Sequence, residues 1–579
     1  MRKTIDKKSG KTYLALARAY RDKETKKSQV ELVESLGNLD ELKKIYPDPI
    51  AHFKSIAEQR TLLEKAQKEN IMITANPREQ LTPGDNRKNF GYAVISKIYH
   101  EMGLDVFFSN HMRGTKVLYN LNAIMKMLVY SRILCPSSKK KTFERRGMYF
   151  DKMDFSLDDV YRSLTMIGNF IDGIQLWIHR HIQDNRRRNT DFIFYDVTNY
   201  YFEIDEQDEL RRKGVSKEHR PDPIVQMGLF VDNDGLPITY HLYPGNCNDC
   251  LTLIPLMKTI RQKYELGKAV VVADKGLNTD KNAYYLANHR GGYIFSQKVR
   301  GGSNELKKYV LDPSGYRSYG TAHQHDGDDQ QKGNKIKSRQ FTRVVEFLDD
   351  DGTIIKAEIA EKQIVFYSSK YDIREKKLRA ATIEKAKDLI NNPSKYNRNN
   401  AYGAAKYISN IKYDKKTGEI LTPAELLKFN QEKLDEEEKF DGYYLITTSR
   451  YNEPDDWAVN HYRELWQIEE TFRITKSDLE TRPIYVSRKD HIESHFAICF
   501  IALVIIRIIQ FRMAREYSPA MIAESLGNIG CTDIGKNYYV FDHRDTVTDT
   551  IAKTFDIDFS RKYMSLGEIR KAIGSTKRH

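Results

Sequence analysis

Asp191–Asn199 reads DFIFYDVTN and Ala269–Gly276 reads AVVVADKG. Each is a short apolar run bounded by turn formers, the mark of a strand buried on both faces, and each leads into an aspartate. Between them lie IVQMGLFVD, Ile224–Asp232, and LPITYHLY, Leu236–Tyr243, joined through NDG, a strong hairpin signal. A helix over about 249–264 precedes the second aspartate, and a further strand, Tyr293–Gln297, follows a helix near 282–288. Strand, hairpin, helix and strand in this order predict an α/β core with a mixed sheet.

Outward from that core the texture changes. On the N-terminal side, residues 11–37 predict short strands around the polar turn RDKETKKSQ, with helix from about Asp40 to Asn70, a small basic module over 1–75. NPREQLTPGDNRKN, Asn76–Asn89, reads as a linker over 76–90. Residues 91–185 are helical, with Val117–Leu134 and Asp158–Ile182 separated by the basic loop CPSSKKKTFERR. That loop suits either a solvated turn or phosphate contact. The core is expected over 186–300 and again over 441–515, where a strand, Tyr443–Thr448, precedes helical tracts at Val459–Lys476 and His491–Met513. The second tract is apolar nearly all round and should be buried. Residues 301–440 differ in composition, with an extended piece at Thr353–Tyr367 and a lysine-rich helix at Asp372–Leu389, and read as an inserted domain. Residues 516–579 form a C-terminal tail, a candidate for oligomerisation.

The chain has 579 residues, several times the roughly 150 of one domain, so more than one folded unit is expected. Hydrophobic residues make up 40% and charged residues 30%, a soluble-globular balance. The longest apolar run, Phe496–Ile506, is closed by Arg507 and falls short of the about 20 residues that span a bilayer. The start, MRKTIDKKSGKTY, has no apolar signal segment, so a cytoplasmic, nucleoid-associated protein without membrane contact is expected. Five cysteines are too few for a disulfide framework. Cys247 and Cys250 form a lone CxxC without a second ligand pair nearby, and His323 and His325 lie in a polar loop that reads as solvated. A net charge of +14 suggests a polyanionic partner, most simply nucleic acid.

Three elements could do chemistry. Asp196 and Asp274 each stand where an apolar strand meets the sheet rim. Two such acids can share a hard divalent cation, which takes oxygen ligands and keeps positions open for phosphate and water. Singly, each could be a turn residue or a helix cap. The third element is HYRELWQIEETFRITKSDLE, His461–Glu480. On one helix Tyr462, Trp466, Glu469, Arg473 and Lys476 would form a single stripe, an acid and two bases between aromatics. The bland reading is a Glu469–Arg473 surface pair; the functional one has Glu469 reaching a metal while Arg473 and Lys476 hold phosphate.

These residues resemble the DDE transposases of bacterial insertion sequences, in the branch marked by a Tyr-Arg-Glu-Lys helix signature. Glu469 and Lys476 follow Tyr462 by seven and fourteen residues, matching that signature, whereas its Arg position falls on Leu465, leaving Arg463 or Arg473 for the role. YDVTN, VADKG and IEETFR give the three acids in the order of a ribonuclease-H-like core, with the last after the insertion. The resemblance implies that Asp196, Asp274 and Glu469 hold two Mg2+ ions, with Mn2+ able to substitute. It implies double-stranded DNA as substrate, at element ends and target, contacted by Tyr462, Arg463, Arg473 and Lys476. Water would free a 3′ hydroxyl that attacks a second phosphodiester, with or without a hairpin, and concerted cutting of two ends implies a homodimer. A structure-specific nuclease would use the same acids without strand transfer. A transposase-derived repressor would need no acids, and all three are intact.

Overall fold

The computed structural model describes residues 1–6, 10–21, 28–67, 78, 80, 87–218, 221–289, 291–319, 333–398, 400–401, 403–414 and 417–577. The pair His323 and His325 and most of the expected linker lie outside them. The chain divides into two compact units, Met1–Thr82 and Pro83–His579.

In the first unit Arg2–Ile5, Thr12–Arg21 and Ser28–Asn38 form an antiparallel sheet. Leu14 on its middle strand is buried with Leu39 and Leu42. Asn38 ends the last strand and accepts from the Asp40 amide at 2.8 Å, turning the chain into helix. A second helix, Pro49–Gln67, starts behind Asp48, which accepts from the amides of Ile50 and Ala51.

The second unit begins with helices that include α1 (Tyr92–Glu101), α2 (Leu121–Leu134), α3 (Leu157–Gly168) and α4 (Ile171–Arg186). The core follows as β1 (Phe192–Tyr201), β2 (Ile224–Asp232), β3 (Pro237–Pro244), α5 (Leu253–Lys263), β4 (Val270–Ala273), α6 (Asp280–Ala287) and β5 (Tyr293–Gln297). Then come β6 (Arg317–Ser318), β7 (Lys335–Leu348), β8 (Ile354–Tyr367), α7 (Ser369–Asn391), β9 (Tyr443–Thr448), α8 (Asp455–Arg463), α9 (Trp466–Arg473) and α10 (Lys489–Arg512). The sheet order is β6-β7-β8-β9-β5-β4-β1-β2-β3. β1 runs parallel to β4, and β4 to β5, each reached through a helix, as parallel neighbours require; the other pairs are antiparallel hairpins and returns.

Side chains of β1 alternate between two cores. Phe192, Phe194 and Tyr200 join the core under α10, while Ile193, Tyr195 and Val197 pack with Leu256 and Ile260 of α5. By this two-residue period Asp196 belongs to the α10 side. Its position corrects the expected strand end, because β1 continues through Tyr201, paired with β2 to Ile224. β4 stops at Ala273, however, so the β4 side of β1 opens just at Asp196.

The segment expected as an insertion divides its contributions. β6, β7 and β8 extend the main sheet, and residues from Ala386 to Leu434 enclose a small apolar cluster of their own. Residues 516–577 fold onto the same unit, and Gly530–Asp533 pairs with Arg87–Asn89 in a four-stranded sheet. α10 is long and apolar enough to cross a membrane by length and composition, but it is the central core helix, buried against α1, α2 and α3. The basic loop is also corrected. Lys139–Glu144 is helical, and Lys139 is buried with its ammonium 3.0 Å from His495 Nδ1, out of reach of phosphate, while Lys140 and Lys141 stay exposed.

Candidate active site

The register of two parallel strands sets the first pair of acids. Tyr195 on β1 pairs with Ala273 on β4, so the residues that follow, Asp196 and Asp274, come side by side. Asp274 sits at the mouth of a tight turn after β4 and accepts two hydroxyls on Oδ1, from Ser296 at 2.7 Å and Tyr462 at 3.3 Å. Ser296 lies on β5, the next parallel strand, and Tyr462 on the last turn of α8. Burial, and next the charge of Asp274, push the Tyr462 hydroxyl up, keeping it a donor.

Burial pushes the Asp196 carboxyl up to about 6; Lys217 opposes that rise, and the charges of Asp274 and Asp249 add to it. A carboxylate held in poor solvent beside two others, with one lysine to offset them, is short of positive charge, and all of these donors are oxygens. That combination fits a hard divalent cation. Among the described residues, no three His, Cys, Asp or Glu side chains converge into a ready-made metal cage.

The helical tract departs most from the sequence reading. Instead of one helix, α8 ends at Arg463 and Glu464–Leu465 form a tighter turn, with the Leu465 amide bonded to the Tyr462 carbonyl at 3.1 Å. α9 follows, and Ile474–Asp478 widen into a π turn closed by the Leu479 amide on the Ile474 carbonyl at 2.9 Å. The changed turns break the stripe. Tyr462 faces Asp274; Trp466 and Glu469 are exposed; Arg473 pairs with Asp478 at 3.2 Å; Lys476 is half-buried, 3.4 Å from Glu218. α9 packs against β1 and β2, which puts Glu469 on the helix covering the Asp196 strand.

IEE offers two glutamates, and packing distinguishes them. Glu470 pairs at 2.5 Å with Arg507, whose side chain is buried within α10, so it is committed to the core. Glu469 is exposed and remains available. Arg463 lies over the rings of Tyr319 and Phe366, with its guanidinium 5.4 and 5.2 Å from their centroids. It borders a cleft of about 770 Å³ that also includes Asp274, Tyr462, Arg300, Tyr371 and Arg374.

Sequence reasoning missed Ser296, Lys217, Glu218 and Asp249. Ser296 was findable, since it follows the apolar YIF run on the strand after VADKG. Asp249 lies within GNCNDC, where the CxxC pattern is the stronger local signal. Those thiols are half-buried and pushed up by burial. Lys217 and Glu218 carry no local signal in RRKGVSKE.

The transposase DDE domain model matches residues 211–505, half of the chain. The chain belongs to the DDE transposases of bacterial insertion sequences. Its residues 1–70 match the N-terminal domain of the IS1634 family of transposases. Asp274 and Glu469 fall inside the DDE match, and Asp196 lies just before it. A cryo-EM structure of the piggyBac transposase synaptic complex with hairpin DNA is similar to this transposase over 85% of both chains, at 8% identity and a TM-score of 0.35. No curated protein matches it.

Proposed function

We propose that this transposase cuts the ends of its insertion sequence and joins the freed 3′ hydroxyl to target DNA, using Asp196, Asp274 and Glu469 as its acid site. The observation that carries the reading is the parallel β1–β4 register, which sets Asp196 beside Asp274. The run β3-β2-β1-β4-β5 supports a ribonuclease-H-like core, with acids at the first and fourth strands and the third acid on a helix beyond the insertion. Asp196, Asp274 and Glu469 would hold Mg2+, two ions per site, or Mn2+ in its place. When bound, the metal supplies Lewis-acid activation of the attacking oxygen and charge compensation at the leaving oxygen of an in-line displacement.

The protein's own groups do the positioning. Ser296 and Tyr462 fix Asp274 by donating to one oxygen, which leaves its other oxygen for a ligand. Lys476, held near β1 by Glu218, is placed to meet a DNA phosphate once that pair opens, and Arg463 and Tyr462 border the cleft beside Asp274. Arg473, paired outward with Asp478, has the weakest claim among the four proposed DNA contacts. The aromatic and cationic cleft suits a distorted strand whose bases stack on rings while cations follow the backbone. Residues 1–185 would recognise the terminal repeats, since catalytic domains of this kind contact phosphate more than base edges. Simultaneous cutting of both ends calls for a homodimer, working on DNA in the cytoplasm.

The test is a DNA fragment bearing the element's own terminal repeats, incubated with full-length protein and Mg2+. Nicking at the repeat end followed by joining to a target plasmid is the expected result. Cutting without joining would make the protein a nuclease, and repeat binding without cutting would make it a repressor.

A further inference from the structure

Residues 202–218 of the connection between β1 and β2 fold back over β1 and are anchored there. Arg212 and Ile224 exchange backbone hydrogen bonds at 3.1 and 2.9 Å. Gly214 lies so close to the β3 end that a Cβ would stand 2.0 Å from the Gly245 carbonyl oxygen, so only glycine fits this approach. Asn199 of β1 donates to the Val215 carbonyl at 3.4 Å.

The anchored loop delivers a lysine to the acid site. The Lys217 ammonium donates to the carbonyl of Val197, the residue after Asp196, and stands 3.7 Å from Asp249 Oδ2. Its side chain keeps 45% exposure, so the head can swing into solvent without unpacking the loop. Glu218, next in sequence, holds Lys476 and Arg482. Around Asp196 the protein thus sets Lys217 against Asp249, and Lys476 and Arg482 against Glu218. The second group is tied to a carboxylate outside the acid pair. Lys217 is bonded to the β1 backbone one residue past Asp196, at the Val197 carbonyl.

We propose that Lys217 is a positioning residue that serves as an exchangeable counter-ion. In the DNA-free protein its ammonium balances the Asp196 and Asp249 side of the site, and entry of a divalent cation drives it off toward solvent or a DNA phosphate. The inference rests on the metal-binding reading of Asp196 and Asp274. An ammonium and a divalent ion repel one another in a partly desolvated pocket, so the resident lysine lowers the site's metal affinity until it moves. The exchange would also free a positive charge for the incoming backbone when the acids are filled.

Binding of Mn2+ alone to the full-length protein without DNA, followed by the electron paramagnetic resonance signal of free Mn2+, tests this. Lys217→Met, close in size but uncharged, is expected to bind Mn2+ about tenfold more tightly than wild type. Lys217→Arg, which keeps the charge and supports the fold in the same way, is expected to bind as wild type does. Equal or weaker binding by Lys217→Met overturns the proposal, as does equal tightening by both variants, which would show that charge is not the cause. Wild-type binding that Asp196→Asn abolishes and Lys217→Met leaves unchanged overturns the lysine's role alone. Absence of Mn2+ binding in both wild type and Lys217→Met overturns the acid-site reading together with it.

Discussion

Asp196 on β1 and Asp274 just past the end of β4 are set by neighbouring parallel strands whose register is fixed by buried apolar side chains, whereas Glu469 rides on an eight-residue helix between a tight turn and a π turn. The first two are set before any ligand arrives. Ser296 and Tyr462 hold Asp274, and the β1 core holds Asp196. Glu469 has a firm scaffold on one side only, through Ile468 and Phe472, which are buried. The contrast teaches that a sheet specifies relative position through hydrogen-bond register, while a short helix specifies only which face is buried. The strand acids form the fixed half of the site, and the helix acid the half that can adjust.

If the two halves act as one, Asp196→Asn, Asp274→Asn and Glu469→Gln should each lower end cleavage by about 10³-fold or more, roughly 4 kcal/mol of barrier, while repeat binding in a gel-shift assay persists. Cleavage by Glu469→Gln at near the wild-type rate would detach the helix from the site and break the comparison at its base.

A second outcome separates the halves by stability. The Asp196 carboxyl titrates near 6 when folded, above the about 3.9 of an unfolded chain. The folded state therefore binds more protons between those values, and stability falls as pH rises from about 4 to 6, with the cost fully present above. Without divalent ions, Asp196→Asn should be more stable than wild type at pH 7.5 by about 1–2 kcal/mol, a figure reduced for partial solvent access, and should match it near pH 4. Calorimetric scans of both proteins across this pH range make the comparison. A destabilised Asp196→Asn at pH 7.5 would mean that the carboxylate is stabilised by partners rather than strained by burial.

Tyr462→Phe removes one of the two hydroxyls on Asp274 and should slow cleavage by roughly 2- to 10-fold, the worth of one ordinary hydrogen bond. A thousandfold loss would show that Asp274 is not held independently of the helical tract. The smallest effects concern phosphate. Lys476→Ala should flatten the plot of log K against log salt by about 1 on duplex DNA, and Arg473→Ala should leave it unchanged. Equal slopes for both variants would erase the distinction that the π turn creates between the two cations.

The sheet was legible because its signals are local. FIFYDVTN, IVQMGLFVD with its NDG turn, and AVVVA announce strands through apolar runs, and β2 and β5 occupy the residues expected of them. Asp274 was placed correctly after its strand, since β4 ends where the apolar run ends. The strand end was set at Asp196, about half a strand too early, because the polar Asp, Thr and Asn of DVTN look like a turn while pairing with β2 carries the strand on to Tyr201. The helical tract misled for a related reason. HYRELWQIEETFRITK has unbroken helical periodicity and no Gly or Pro, and its two irregular turns follow from what it packs on: Tyr462 bonded to Asp274, and Thr475 bonded to Tyr200 at 2.8 Å. Lys217 was invisible because nothing within a loop's own sequence reports the strand it crosses.

The four-stranded sheet near the C-terminus has a bearing on the order in which the molecule can be made. Its edge strand, Arg87–Asn89, pairs with Gly530–Asp533, and the helices behind that strand bury their apolar faces on Lys489–Arg512. On a ribosome adding about 5–20 residues per second, α2 would wait roughly 20–75 seconds for the helix that covers it. Throughout that interval the N-terminal helices present Ile124, Leu128 and Leu164 to solvent or to a chaperone, so the yield of folded transposase should depend on holdase capacity more than on its final stability.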